Sequence, residues 1–116
     1  MKGVLVVTAA AVMTIATAGF ASAQDAAKGE QVYAKEKCSM CHSIAGKGNT
    51  KGALDGVGSK LSADDIRLWF TDPAAATAKA KAERKPPMTS VATKLKALSK
   101  DDVDALVAYM SSLKGK

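Results

Sequence analysis

Two thiols and an imidazole stand within five consecutive residues of this chain, Cys38-Ser39-Met40-Cys41-His42. Two cysteines three positions apart can each add a sulfur across one vinyl group of a porphyrin. A histidine directly after the second then falls beneath the ring, where its nitrogen can ligate iron. That spacing is the signal for covalent haem attachment. A bare C-x-x-C would say less, since it also serves structural zinc and thiol–disulfide exchange. Those readings lack parts here. Structural zinc takes four protein ligands, yet the whole chain holds 2 cysteines and 1 histidine. A thioredoxin-like dithiol belongs in a βαβ setting, and no strand pattern supplies one. A plain disulfide beside an incidental histidine is the remaining alternative.

An iron that changes valence with little rearrangement wants both axial positions filled. Met40, Met88 and Met110 are the methionines beyond residue 23. Met40 lies inside the attachment motif, on the same side of the ring as His42. Met110 falls on the apolar stripe of the last predicted helix, where core packing explains it. Met88 follows Pro86-Pro87, which stiffen the backbone and discourage helix. Such a segment can hold a thioether sulfur at a fixed distance from iron, and His/Met is an established pairing for haem electron carriers. Met88 is therefore the expected sixth ligand, with a free or water-bound position as the alternative. A thioether ligand and a dry pocket would both raise the reduction potential.

These residues need elements to position them. Residues 1–23 read as a secretory signal peptide: Lys2 gives a positive start, the stretch to Phe20 is apolar or small, and Ala21-Ser22-Ala23 has the form of a cleavage site. Export to the periplasm follows, with an uncleaved membrane tether as the alternative. Residues 24–116 form one small domain, too small to bury much core without a staple or a prosthetic group. The full chain carries a formal charge of +6. Loss of Lys2 would leave the domain still basic. No nucleic-acid motif accompanies that charge, so an acidic protein partner is the better match.

Ala26, Gly29, Val32 and Tyr33 recur at helical steps from Asp25 to Lys37. Gly29 costs that helix about 1 kcal/mol relative to alanine, which makes sense if another backbone approaches there. Residues 45–60 read as loop and turn, with glycines but no phosphate-binding frame. Ser62-Ala63-Asp64-Asp65 opens a short helix with a capping box, and Asp72-Pro73 ends it. Trp69 in that helix has two readings, core filler or a ring at the haem edge with its N–H offered to a propionate. Residues 74–85 are alanine- and lysine-rich and partly helical. Ser99-Lys100-Asp101-Asp102 opens the last helix, whose stripe is Val103, Leu106, Val107, Met110 and Leu113.

In that order, Gly29-x-x-x-Tyr33, Cys38-x-x-Cys41-His42, Gly56-Val57-Gly58, Pro86-Pro87-Met88 and a closing helix with Tyr109 resemble the class I cytochromes c, in particular the small single-haem bacterial periplasmic type. The resemblance implies an all-α fold of three to five helices wrapped around one covalently attached haem c with its iron. It places Gly29 and Tyr33 against Leu106 and Tyr109 where the first and last helices cross. It assigns cofactor binding to Cys38, Cys41, His42 and Met88, with His42 and Met88 on the metal. Many relatives carry a proline in the loop after the motif, near the carbonyl that receives the histidine Nδ1–H. Ala53 stands at that place here, so a looser proximal loop is expected.

The function these features imply is a soluble, monomeric electron carrier without a substrate of its own. It would pass single electrons between larger redox proteins with acidic docking surfaces, with no nucleic-acid partner and no stable membrane insertion once the signal is removed. The alternative is a haem enzyme or small-ligand binder with a labile sixth position, acting on peroxide or a gas. The absence of a second histidine leaves peroxidase chemistry without an obvious general base.

Overall fold

The computed structural model describes Gly3 and residues 18–115. Among the described residues six α-helices follow one another: α1 (Ala18–Lys35), α2 (Val57–Lys60), α3 (Ala63–Thr71), α4 (Pro73–Ala80), α5 (Ala92–Lys96) and α6 (Lys100–Ser112). The fold class is all-α. The count exceeds three to five because α2 and α5 are barely more than one turn each, too short for a helical period to register in the sequence. A two-stranded antiparallel ribbon, β1 (Ser43–Ile44) with β2 (Lys47–Gly48), pairs Ser43 with Gly48 and Ile44 with Lys47. No strand was expected there, since two residues carry no alternation. Helix α1 begins at Ala18, upstream of the expected Asp25. The rest of the leader read at residues 1–23 lies outside the described residues. Among the described residues no helix is long and apolar enough to cross a membrane.

The helix starts follow from local chemistry. Ser62 Oγ accepts the Asp65 N–H at 3.2 Å and Ser99 Oγ accepts the Asp102 N–H at 3.1 Å. Each bond satisfies one orphan amide, and the aspartates of both first turns face the positive end of the helix dipole. Asp72 closes α3 and opens α4. Its Oδ1 accepts the Ala75 N–H at 3.1 Å, and Pro73 takes the first helical position, where a missing N–H leaves nothing unpaired. Helix α4 stops at Ala80, short of residue 85, because Lys81 turns left-handed with φ 51°.

One buried cluster joins α1, α3 and α6: Val32, Tyr33, Ile66, Val103, Leu106, Val107 and Met110. Met110 is 4 % exposed, so its place is in the core. Helices α1 and α6 meet backbone to backbone. A Cβ built on Gly29 would overlap the Ala105 carbonyl and stand 2.6 Å from Tyr109 Cβ. One turn on, the Tyr33 and Tyr109 rings tilt against each other with centroids 5.9 Å apart, a spacing at which aromatic pairs attract. Gly58 is the second close approach. A Cβ there would overlap the Ser111 carbonyl, so the short α2 lies on the end of α6.

Gly29→Ala is expected to destabilise the haem-loaded protein by about 1–3 kcal/mol, the usual cost of overpacking, although alanine is the better helix former. Chemical denaturation measures it. An unchanged midpoint would show that α1 and α6 do not depend on this contact.

Candidate haem-binding site

Helix α1 delivers the chain to the attachment motif. Lys37 takes the left-handed conformation, φ 55°, and its N–H reaches the Ala34 carbonyl at 3.1 Å. That ends the helix in the manner usually given to glycine and turns Cys38 away from the helix axis. Residues Cys38–Met40 then form one 3-10 turn, closed by the Cys41 and His42 N–H groups on the Cys38 carbonyl at 3.1 and 3.0 Å. Cys38, Cys41 and His42 are thus brought together by a single turn. Both cysteines are half-buried free thiols. Among the described residues no group of three or more His, Cys, Asp or Glu side chains could hold a metal ion.

The ribbon that follows exists to fold the chain back under the histidine. The Asn49 N–H is shared between the Ser39 and His42 carbonyls at 3.1 and 2.9 Å, while its side-chain amide reaches the Met40 carbonyl at 3.3 Å. Asn49 Oδ1 also caps the 3-10 turn Thr50–Gly52 by accepting the Lys51 N–H at 3.1 Å. That turn places the Gly52 carbonyl 2.9 Å from His42 Nδ1. A carbonyl can only accept, so Nδ1 carries the proton and Nε2 keeps its lone pair. Two free thiols beside an imidazole held in that tautomer are the donor set that a covalently tethered, iron-bearing porphyrin requires.

Burial, opposed by the Gly52 bond, lowers the His42 pKa, and the nearby Arg84 guanidinium adds to the lowering. The neutral ring is the form that binds metal. Burial pushes the Cys38 thiol up, with the Lys94 ammonium opposing it. The Cys41 backbone requires Gly52. A Cβ on Gly52 would overlap both the Arg84 guanidinium and the Cys41 carbonyl.

The histidine's acceptor is thus the carbonyl of Gly52, the neighbour of Ala53. Ala53 already has φ −58°, which a proline ring would match. The residue before a proline avoids helical conformations, however, and Gly52 ends the 3-10 turn. Stiffening at residue 53 would act directly on the carbonyl that orients the imidazole.

Met88 stands on a separate segment. It is half-buried and opens the 3-10 turn Met88–Val91, which runs directly into α5. Residues on either side of it reach the attachment region: Arg84 lies over Gly52, and Lys94 Nζ bonds the Glu36 carbonyl. Trp69 is half-buried, yet it belongs neither to the buried cluster nor to the hydrophobic residues packed against it. Met40 is 72 % exposed.

The sequence reading did not single out Asn49, Gly52, Arg84 or Lys94. Of these only Asn49 left a signal, an Asx residue placed to cap a turn. The other three act through contacts distant in sequence.

The Tyr33 hydroxyl is buried without a hydrogen-bond partner among the described residues. Burial first, then the neighbouring Cys38, Tyr109 and Asp55, push its pKa up to about 12 from the ordinary 10.0.

A family model described as cytochrome c matches residues 26–114. No curated protein and no solved structure matches the chain.

The Tyr33 phenol gives a stability signature at high pH. The folded state holds its proton up to about pH 12, whereas the unfolded chain releases it near 10.0. Stability is expected to be intact below pH 10 and to fall progressively towards pH 12. Tyr33→Phe should flatten that part of the profile. A decline equally steep in the variant would assign it to other groups.

Proposed function

The chain belongs to the cytochrome c family, and from that premise we propose that it is an exported one-electron carrier whose iron is ligated by His42 and Met88. Its chemistry is haem-based electron transfer, and its prosthetic group is a covalently bound haem c with iron. Bound there, the haem supplies a one-electron ferric/ferrous couple. The chain supplies attachment, orientation and access.

Cys38 and Cys41 are the attachment thiols in this reading. The observation that carries it is the His42 Nδ1–Gly52 carbonyl bond of 2.9 Å, which leaves Nε2 as the only lone pair the imidazole can offer. A carbonyl partner also raises the basicity of the ligating nitrogen. Met88 gives the neutral second ligand, chosen over Met40 and Met110 because one is 72 % exposed and the other 4 % exposed in the core. Trp69, left outside the core cluster, is assigned to the haem edge.

Residues 1–23 are proposed to be removed on export to the periplasm, leaving a basic monomer. Lys47, Lys51 and Lys85 are exposed. They face water without burying charge and suit long-range attraction of acidic redox partners.

Absorption spectra test the assignment. The purified protein should give a pyridine haemochrome of the two-thioether type and a methionine–iron charge-transfer band in the ferric state. Met88→Ala should abolish that band while leaving haem attached. A high-spin ferric spectrum with rapid uptake of small ligands in the parent would favour the labile-site alternative.

Electron transfer with an acidic redox partner should slow as salt rises, because the Debye length falls from about 30 Å at 0.01 M to about 8 Å at 0.15 M. Stopped-flow rates across that range check it. Rates independent of salt would remove the steering argument.

A further inference from the structure

The helix that carries the chain onward from Met88 is tied to the residue that precedes the attachment motif by two. Lys94 Nζ donates to the Glu36 backbone carbonyl and lies 3.7 Å from the Glu36 carboxylate. Glu36 sits just past the end of α1, where carbonyls lack helical partners and a lysine can both bond them and answer the negative end of the dipole. Lys94 thus satisfies a terminal carbonyl and a carboxylate with one ammonium.

Lys94 and Met88 lie on one continuous helical segment. The 3-10 turn Met88–Val91 continues into α5 without a break, and the Ala92 N–H bonds the Thr89 carbonyl. Leu95, 9 % exposed, anchors α5 in the protein interior. Contact with the attachment side comes from Lys94.

We propose that the Lys94–Glu36 contact is a latch that positions the Met88 segment and sets how readily the methionine leaves the iron. The proposal rests on the His42/Met88 reading. Lys94 touches neither iron nor haem in it and acts only through the segment it holds. Lys94 and Glu36 side chains are 44 % and 22 % exposed, so the latch is accessible to salt and moderate in strength.

Imidazole provides the test, because it can bind ferric iron only after Met88 has departed. The rate constant at saturating imidazole therefore reads the departure itself. Lys94→Met keeps the length and apolar stem but removes the donor and the charge. It should raise that rate constant about threefold to tenfold, as expected for one charge-assisted bond with its ion pair. Lys94→Arg keeps both and should stay within about twofold of the parent. Added salt should accelerate the parent and leave Lys94→Met unchanged.

A parental rate in Lys94→Met, with or without lowered thermal stability, would overturn the latch and leave Lys94 a merely structural cap. So would equal acceleration by methionine and arginine. If Lys94→Met fails to mature with haem, Glu36→Gln decides by the same measurement, since it keeps the carbonyl and removes only the carboxylate. A rise of about twofold supports the latch and no rise overturns it. A parent lacking the methionine–iron band overturns the axial assignment itself, and the latch with it, before any variant is made.

Discussion

The backbone of α1 rests on the backbone of α6 because residue 29 has no side chain. Any Cβ there would overlap the Ala105 carbonyl, and the two helices would have to separate. Their approach sets Val32 and Tyr33 against Leu106, Val107 and Met110, which together form most of the buried cluster. For a domain this small, with little apolar surface to bury, that one cluster is the frame. The helical penalty of a glycine, about 1 kcal/mol, is small against the packing it permits.

The site is built outward from that frame by short backbone devices. The left-handed Lys37 ends α1 and swings the chain into the turn that holds Cys38, Cys41 and His42. Asn49 ties the returning ribbon to that turn through three bonds, and the 3-10 turn it caps carries the Gly52 carbonyl to His42 Nδ1. The imidazole is thus oriented by main-chain geometry and not by another side chain. A main-chain acceptor has no rotamer to lose and no proton to take up, so it keeps one tautomer across a wide range of pH.

The segment bearing Met88 is held differently. It lies between two basic residues: the Arg84 guanidinium lies beside Gly52, and Lys94 bonds the Glu36 carbonyl. The Lys94 contact is ionic and partly exposed, whereas the attachment turn is held by main-chain bonds.

Local chemistry was legible in the residues alone. The attachment motif, the two serine caps, the Asp72-Pro73 boundary and the apolar stripe of α6 each depend on neighbours within a few positions, and such short-range physics is written in the order of residues. The all-α class and the cytochrome c family followed from them. What only the tertiary structure decided involves partners far apart in the chain: that the Gly52 carbonyl faces His42, that Gly58 seats α2 on Ser111, and that Lys94 reaches Glu36. Contacts of that kind depend on where the folded backbone places each residue, and neither spacing nor periodicity along the chain encodes them.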